Sequence, residues 1–150
     1  MKGGNQKKSL SVKLGVMLFV IGPAVFGNAK VWAADWRLYA SDNKAIRYYD
    51  GQGITSPSKN IVRVSNKIIF TERTAHAMAE RLGKAYENLA YEISLKEINC
   101  AEKKERWVLT TLYSKKGELL HAPAEIKKEW GSIDTDTLSY TLFKKVCEGM

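Results

Sequence analysis

The sequence predicts an α+β domain: a mostly antiparallel sheet of about six strands, with a mid-chain helix and a C-terminal helix. Short segments rich in β-branched and aromatic residues alternate with turn residues, which is typical of antiparallel strands. Two longer segments carry apolar residues at helical spacing instead. Cys100 and Cys147 are the only cysteines, and a disulfide between them would tether the C-terminal helix to the sheet.

Six segments carry the strand pattern, and turn residues join two pairs of them. The first pair is a hairpin with its turn at 42–43, and the last pair is joined by a tight turn at 116–117. We expect a polar loop over 53–60, a charged turn over 101–105 and irregular structure over 122–133. The predicted strands are 36–40, 45–49, 61–71, 89–100, 106–114 and 118–121.

The predicted strand 89–100 has the clearest alternation of apolar and polar residues. We expect its apolar set to be buried and its polar set to face water. The apolar positions then change parity, which predicts a bulge near 96–97, and a similar change predicts another near 65–66. The apolar set is Leu89, Tyr91, Ile93 and Leu95, and the polar set is Ala90, Glu92, Ser94 and Lys96.

The mid-chain helix is predicted to begin after Thr71 and to end at Leu82. Thr71 is a favourable N-cap, and Glu72 suits the positive end of the helix dipole. Gly83 is typical of the position just past a helix. The apolar stripe is expected to pack on the sheet.

The last element is predicted to be a helix over 137–148, capped by Asp136. Leu138, Leu142 and Val146 follow one i, i+4 row. Cys147 lies beside that row, so we expect it to face the sheet.

Residues 1–33 have the pattern of a cleaved signal peptide. Four lysines come first and no acidic residue precedes Asp35; an apolar run of about 13 residues follows, over 14–26. That run is shorter than the roughly 20 residues that a membrane-spanning helix needs. We expect the cut between Ala33 and Ala34, with a cut after Ala29 as the alternative.

Cleavage there leaves one domain, residues 34–150. Five of the 24 basic side chains leave with the signal, so the formal net charge falls from +8 to +3. So small a charge gives no reason to expect a nucleic-acid partner, and export argues against one. No membrane span is expected after cleavage.

An even number of cysteines in an oxidising compartment predicts the bridge Cys100–Cys147. A metal pair or a redox pair are the alternatives. Neither is favoured, because the sequence has no CxxC motif and no histidine cluster.

No catalytic constellation is visible in the sequence, so we expect a non-enzymatic protein without cofactor or metal. His76 and His121 lie far apart, and His76 is expected to face solvent. The Gly51-Gln52-Gly53 triplet lacks the strand and helix of a nucleotide loop. Asp134 and Asp136 are typical of helix capping.

Several motifs are similar to those of the surface-adhesin protein E family, and together they cover nearly all of residues 34–150. The resemblance implies a six-stranded antiparallel sheet with a C-terminal helix tethered by a disulfide at Cys100 and Cys147. It also implies a bacterial surface protein that adheres to host proteins and can form homodimers. The motifs are Trp36-Arg37-Leu38-Tyr39, Tyr48-Tyr49-Asp50, the segment 57–64 (PSKNIVRV), Lys67, Glu97-Ile98-Asn99-Cys100 and Lys145-Val146-Cys147.

We therefore expect an exported, adhesin-like binding domain that recognises a protein or surface outside the cytoplasm. It would act in the periplasm, at the cell surface or outside the cell. Unlike the lipoprotein that gives the family its name, this chain has no lipid-acceptor cysteine directly after the apolar run. The alternative is therefore a soluble periplasmic accessory domain that binds an envelope protein or a small ligand.

Overall fold

The computed structural model describes residues 33–121 and 129–149. One antiparallel sheet contains eight strands, of which six form a continuous order, β1-β2-β4-β5-β6-β7. The strands are β1 (Trp36–Ser41), β2 (Ala45–Asp50), β3 (Thr55–Ser58), β4 (Ile61–Phe70), β5 (Leu89–Asn99), β6 (Lys104–Ser114), β7 (Leu119–His121) and β8 (Gly131–Ser132). The predicted α+β fold is confirmed.

Two short strands occupy segments in which no strand was predicted. β3 pairs with β4 inside the expected polar loop over 53–60, and β8 pairs with the start of β6. Pro57 is compatible with β3 because that strand lies off the main path of the sheet and pairs only with β4. The expected charged turn is also shorter than predicted, because Lys104 and Glu105 already belong to β6. Most of the segment expected to be irregular, 122–128, lies outside the described residues.

Neither predicted bulge forms within its own strand: the irregularity near 96–97 lies in the neighbouring strand β6, so β5 keeps its parity, and the bulge predicted near 65–66 is wrong. The register between β5 and β6 shifts after Leu95, where Lys96 pairs with Trp107, so Val108 of β6 is the extra residue. By contrast, β4 pairs with β5 without a shift from Ile61 to Ile69. β4 needs no bulge, because one of its faces simply changes from buried valines to the buried amide of Asn66.

Helix α1 spans Glu72–Leu82, as predicted. The Thr71 side chain accepts a hydrogen bond from the Thr74 amide, and Gly83 follows the helix with a φ of 103°. This φ lies in the region that glycine favours, which explains why the helix ends there. Ala75 and Ala79 are buried, and α1 packs against β5 and β4.

The C-terminal helix differs in detail from its prediction. Helix α2 (Leu138–Phe143) continues as a π-helical turn over Lys144–Glu148. Its cap is Thr137 and not Asp136, because the Thr137 hydroxyl accepts from the Tyr140 amide at 3.3 Å. No described helix is long and apolar enough to cross a membrane.

The core lies between this C-terminal helix and one face of the sheet. Val62, Val64 and Ile98 of the sheet are at most 3% exposed. They pack with side chains of α2 and the π-helical turn that are equally buried, namely Leu142, Phe143 and Val146. The sheet therefore has one helix-bearing face, which carries Val62, Val64, Asn66, Ser94, Lys96 and Ile98.

Candidate functional site

The opposite face of the sheet carries a broad set of partly exposed apolar side chains. Cross-strand pairs share a face, so the register assigns each side chain to one side. One row across the sheet joins Leu38, Tyr48, Lys67 and Ile93, and a second joins Ile46, Ile69, Tyr91, Tyr113 and Leu119. A third pair joins Leu95 to Leu109. We call this surface, defined by these residues together with Trp36, the open face.

Exposure of large apolar side chains is concentrated on the open face. Leu38 is 58% exposed, Leu119 56%, and Ile46 and Leu109 38% each. These four side chains come from four different strands, and only Leu82 and Leu138 are comparably exposed among the described residues. Several large apolar side chains exposed on one face are typical of an interaction surface.

Aromatic rings and one lysine organise the middle of the open face. The Lys67 ammonium lies 4.8 Å from the ring centre of Tyr91 and 5.6 Å from that of Trp36. Tyr91 in turn stacks on Tyr113, with ring centres 4.9 Å apart and an angle of 9° between the planes. These contacts hold the rings in fixed positions, which favours binding because little side-chain entropy remains to be lost.

A charged cluster lies at the end of β4, β5 and β6 on the same face. The buried Glu97 carboxylate accepts from Arg63 Nε at 3.0 Å and from Arg106 Nε at 2.7 Å. Burial by itself would raise the pKa of Glu97, but the hydrogen bonds and charges of the two arginines outweigh it and lower the pKa. Arg106 also lies over the Trp130 ring at 4.6 Å. The cluster is thus a rigid, cationic border of the open face.

The helix-bearing face buries polar side chains, contrary to the sequence-based expectation. Ser94 is 1% exposed and Lys96 4% exposed, although both were expected to face water. The reason is the parity of β5: Ser94, Lys96 and Ile98 share the side on which Cys100 anchors the C-terminal helix. The helix covers that side whatever residues occupy it.

Each buried polar group on this face has a partner. Lys96 Nζ contacts Glu105 Oε2 at 3.0 Å and lies 3.8 Å from the Trp107 ring centre. The Ser139 hydroxyl of α2 donates to Glu105 Oε1 at 2.7 Å, so the network connects helix and sheet. Between β1 and β4, the Tyr39 hydroxyl donates to the Asn66 side-chain oxygen at 2.9 Å.

Glu92 continues the helix-bearing face beyond Ser94 and has no ion pair among the described residues. Burial raises the pKa of Glu92, and the hydrogen bond to Ser94 and the charge of Lys96 only partly oppose this. Burial likewise raises the pKa of Tyr39. The two faces therefore treat a carboxylate in opposite ways: Glu97 is stabilised in its ionised form and Glu92 is not.

The two cysteines form the expected bridge. Cys100 immediately follows β5, Cys147 lies in the π-helical turn, and their Cα atoms are 5.7 Å apart. The disulfide therefore links the C-terminal helix to the sheet. Ala33 and Ala34 are exposed and precede β1. The cleavage between them, and the division into residues 1–33 and 34–150, stay predictions.

The histidines are not brought together by the fold. His76 is 77% exposed on α1 and lies 3.6 Å from Glu80, whereas His121 contacts the Tyr86 hydroxyl at 2.9 Å. Within 33–121 and 129–149, no group of three or more metal-ligating side chains is present. The expected exposure of His76 is confirmed.

A shallow cleft of about 660 Å³ lies between β1, β2 and the C-terminal helix. Tyr39 and Tyr49 line its sheet side, and Lys144, Lys145 and Glu148 line its helix side. Its volume is within the range of small-molecule sites. Its polar groups are mostly exposed and do not converge, so the open face is the stronger candidate.

These features define a small domain with a disulfide-clamped helix on one face of an antiparallel sheet and an uncovered apolar surface on the other. The family model described as Surface-adhesin protein E matches residues 36–148, and the chain belongs to that family. A comparison with curated proteins gives no match. The family resemblance inferred from the sequence is therefore confirmed.

Proposed function

We propose that this chain is an exported, non-enzymatic binding domain, adhesin-like in its action, and that it recognises a protein outside the cytoplasm through the open face. The observation that carries the proposal is the exposure of Leu38, Ile46, Leu109 and Leu119 on one side of the sheet. Isolated apolar side chains on a surface need no explanation, but four from different strands on one face do.

Membership of an adhesin family supports this proposal at the level of protein class. The signal-peptide pattern of residues 1–33 supports export, and it is a separate line of support from the surface. Aromatic residues and arginine are enriched at interfaces. The open face supplies Trp36 and Tyr91, and the charged cluster at its border supplies Arg106.

The test compares a double leucine variant on the open face with a single leucine variant outside it. The double variant Leu38→Asp/Leu109→Asp places two charges on the open face, while Leu138→Asp places one at a similarly exposed site on α2. We expect saturable binding of the exported protein to surface-immobilised matrix proteins or intact cells to fall at least about tenfold in the double variant. Leu138→Asp should bind like the unaltered protein.

Equal losses in both variants would contradict recognition by the open face. Location is tested separately by adding protease to intact cells of the native host. An adhesin at the surface is cleaved, whereas release by osmotic shock without cleavage favours the periplasmic accessory role. Sedimentation of both leucine variants reports whether the open face instead joins two copies of this chain.

A further inference from the structure

A groove beside helix α1 carries positive charge that the function proposed above does not use. Its volume is about 420 Å³, and it lies between α1 and the turn that joins β1 to β2. Lys44 lines the turn side, and Arg73 and Arg81 line the helix side. No acidic side chain lines it. We call these three residues and the space between them the basic groove.

The spacing of the two arginines follows from the helix. Arg73, Ala77 and Arg81 occupy one i, i+4 row, so the arginine Cα atoms are about 12 Å apart along the axis. The small side chain of Ala77 leaves the row open between the two guanidinium groups. Lys44 lies across the groove from the two arginines, in the turn between β1 and β2. This arrangement presents three cations around one concavity.

The charge of the basic groove is not neutralised within the described part of the chain, where none of the three cations forms an ion pair. The neighbouring acids have other partners: Glu72 pairs with Lys115, Glu80 with His76, and Asp42 with Arg47. Guanidinium groups bind phosphate oxygens well because their planar donors match two oxygens at once.

An exposed apolar side chain continues the groove at the end of α1. Met78 lines the groove, and Leu82 lies one turn farther along the same row. Leu82 is 47% exposed although it belongs to a helix that packs on the sheet. Basic side chains beside an exposed leucine are typical of helices that lie on a membrane surface. A free phosphate ion would make no use of Leu82.

We propose that the basic groove binds the phosphate groups of an anionic lipid surface, with Leu82 entering the headgroup region. Each lysine or arginine near such a surface contributes attraction that salt weakens. The proposal is independent of the open face and holds whether or not that face binds a protein. It gives the exported domain a non-covalent contact with an envelope membrane.

The test uses exported protein, expressed from the full-length chain and recovered from the cell envelope fraction. Binding is measured to vesicles of phosphatidylglycerol and phosphatidylcholine in equal parts, and to vesicles of phosphatidylcholine alone. The triple variant Lys44→Gln/Arg73→Gln/Arg81→Gln removes the groove's charge. The control Lys59→Gln/Lys116→Gln/Lys145→Gln removes the same charge from exposed sites elsewhere. Thermal unfolding checks that both variants remain folded.

We expect binding to the anionic vesicles only, with a loss of roughly five-fold per groove cation or about a hundred-fold for all three. The control triple should lose much less, and Leu82→Ser should weaken binding roughly ten-fold. Leu38→Asp/Leu109→Asp should leave vesicle binding intact, which separates this proposal from the open-face function.

Equal losses of vesicle binding in the two triple variants would overturn the basic groove as the binding site. Displacement by inorganic pyrophosphate at constant ionic strength, together with no effect of Leu82→Ser, would show a site for free phosphate and overturn the lipid assignment.

Discussion

On the helix-bearing face of the sheet Ser94 and Lys96 are buried, whereas on the open face Leu38 and Leu109 remain exposed. Within β5 itself, Ser94 and Lys96 are buried while the apolar Ile93 and Leu95 beside them are only partly buried. The difference shows that alternation identifies the two sides of a strand but does not by itself say which side is covered. In this chain the position of the C-terminal helix determines which side is covered, and the disulfide holds that helix in place.

The two faces also stabilise a lysine differently. Lys96 is enclosed by Glu105 and Trp107, and a hydroxyl from α2 completes the network. Lys67 on the open face lies beside the rings of Trp36 and Tyr91 and forms no ion pair within the described part of the chain. A buried charge depends on its partner far more than a partly exposed one does. The comparison of the faces can therefore be tested by making identical changes on each.

The largest expected effect on stability comes from removing the disulfide between Cys100 and Cys147. Cys147→Ser should lower the free energy of unfolding by about 4 kcal/mol, because the bridge closes a long loop in the unfolded chain. The cysteines are 47 positions apart. Urea denaturation with and without reductant measures the effect.

Loss of the bridge should act on one face only. Amide hydrogen exchange should rise most in α2 and the π-helical turn, with little change at the centre of β4 and β5. Unchanged protection in the C-terminal helix of the reduced protein would show that packing alone holds it.

The next effect is a cavity on the helix-bearing face. Leu142→Ala should cost about 3 kcal/mol, because Leu142 is fully buried in the core. Leu38→Ala on the open face should change stability by less than about 0.5 kcal/mol. Thermal unfolding of both variants measures the contrast, and similar shifts would mean that the open face is covered in solution.

Identical lysine substitutions should have unequal effects. Lys96→Met should cost about 2 kcal/mol, because Glu105 keeps a hydrogen bond from Ser139 but loses its counter-charge. Lys67→Met should cost less than about 1 kcal/mol, since a ring–cation contact is replaced by a ring–sulfur contact. Equal costs would refute the difference in burial between the two side chains.

The smallest effects concern pH, and they have opposite signs on the two faces. The pKa of Glu97 is lowered in the folded protein, so its stabilisation is present at neutral pH and is lost as pH falls through that pKa. The pKa of Glu92 is raised, so its ionised form disfavours folding at neutral pH, and this cost disappears as pH falls through that pKa.

Substitution by glutamine distinguishes the stabilising carboxylate of Glu97 from the destabilising carboxylate of Glu92. Glu97→Gln should destabilise the protein at pH 7, while Glu92→Gln should stabilise it slightly, and both differences should shrink in acid. Denaturation midpoints measured between neutral and acidic pH would reveal this. A destabilising Glu92→Gln at pH 7 would mean that its carboxylate has a partner in solution.

Local features followed from the sequence because they depend on neighbouring residues. Thr71 caps α1 and Gly83 ends it through contacts within one turn. The hairpin of β1 and β2 and the turn before β7 follow in the same way from short-range turn chemistry. The pairing of Cys100 with Cys147 followed from there being no other cysteine. The cap at Thr137 was missed by one position, which is the usual uncertainty of a helix end.

Non-local features required the fold. β3 and β8 exist because neighbouring strands offer them hydrogen-bonding partners, and their own residues carry little strand preference. No pattern within β4 distinguishes a bulge at Ser65 from a straight strand with a buried Asn66.

The open face was missed because its residues resemble an ordinary apolar core side. One signal was present in the sequence: Cys100 shares the parity of Ser94 and Lys96, so the disulfide places the helix over polar residues. The sequence by itself determined the six main strands, the two helices and which two sulfurs join. Only the tertiary structure decided which face is covered, because burial depends on where a distant helix lies and not on the polarity of the strand beneath it.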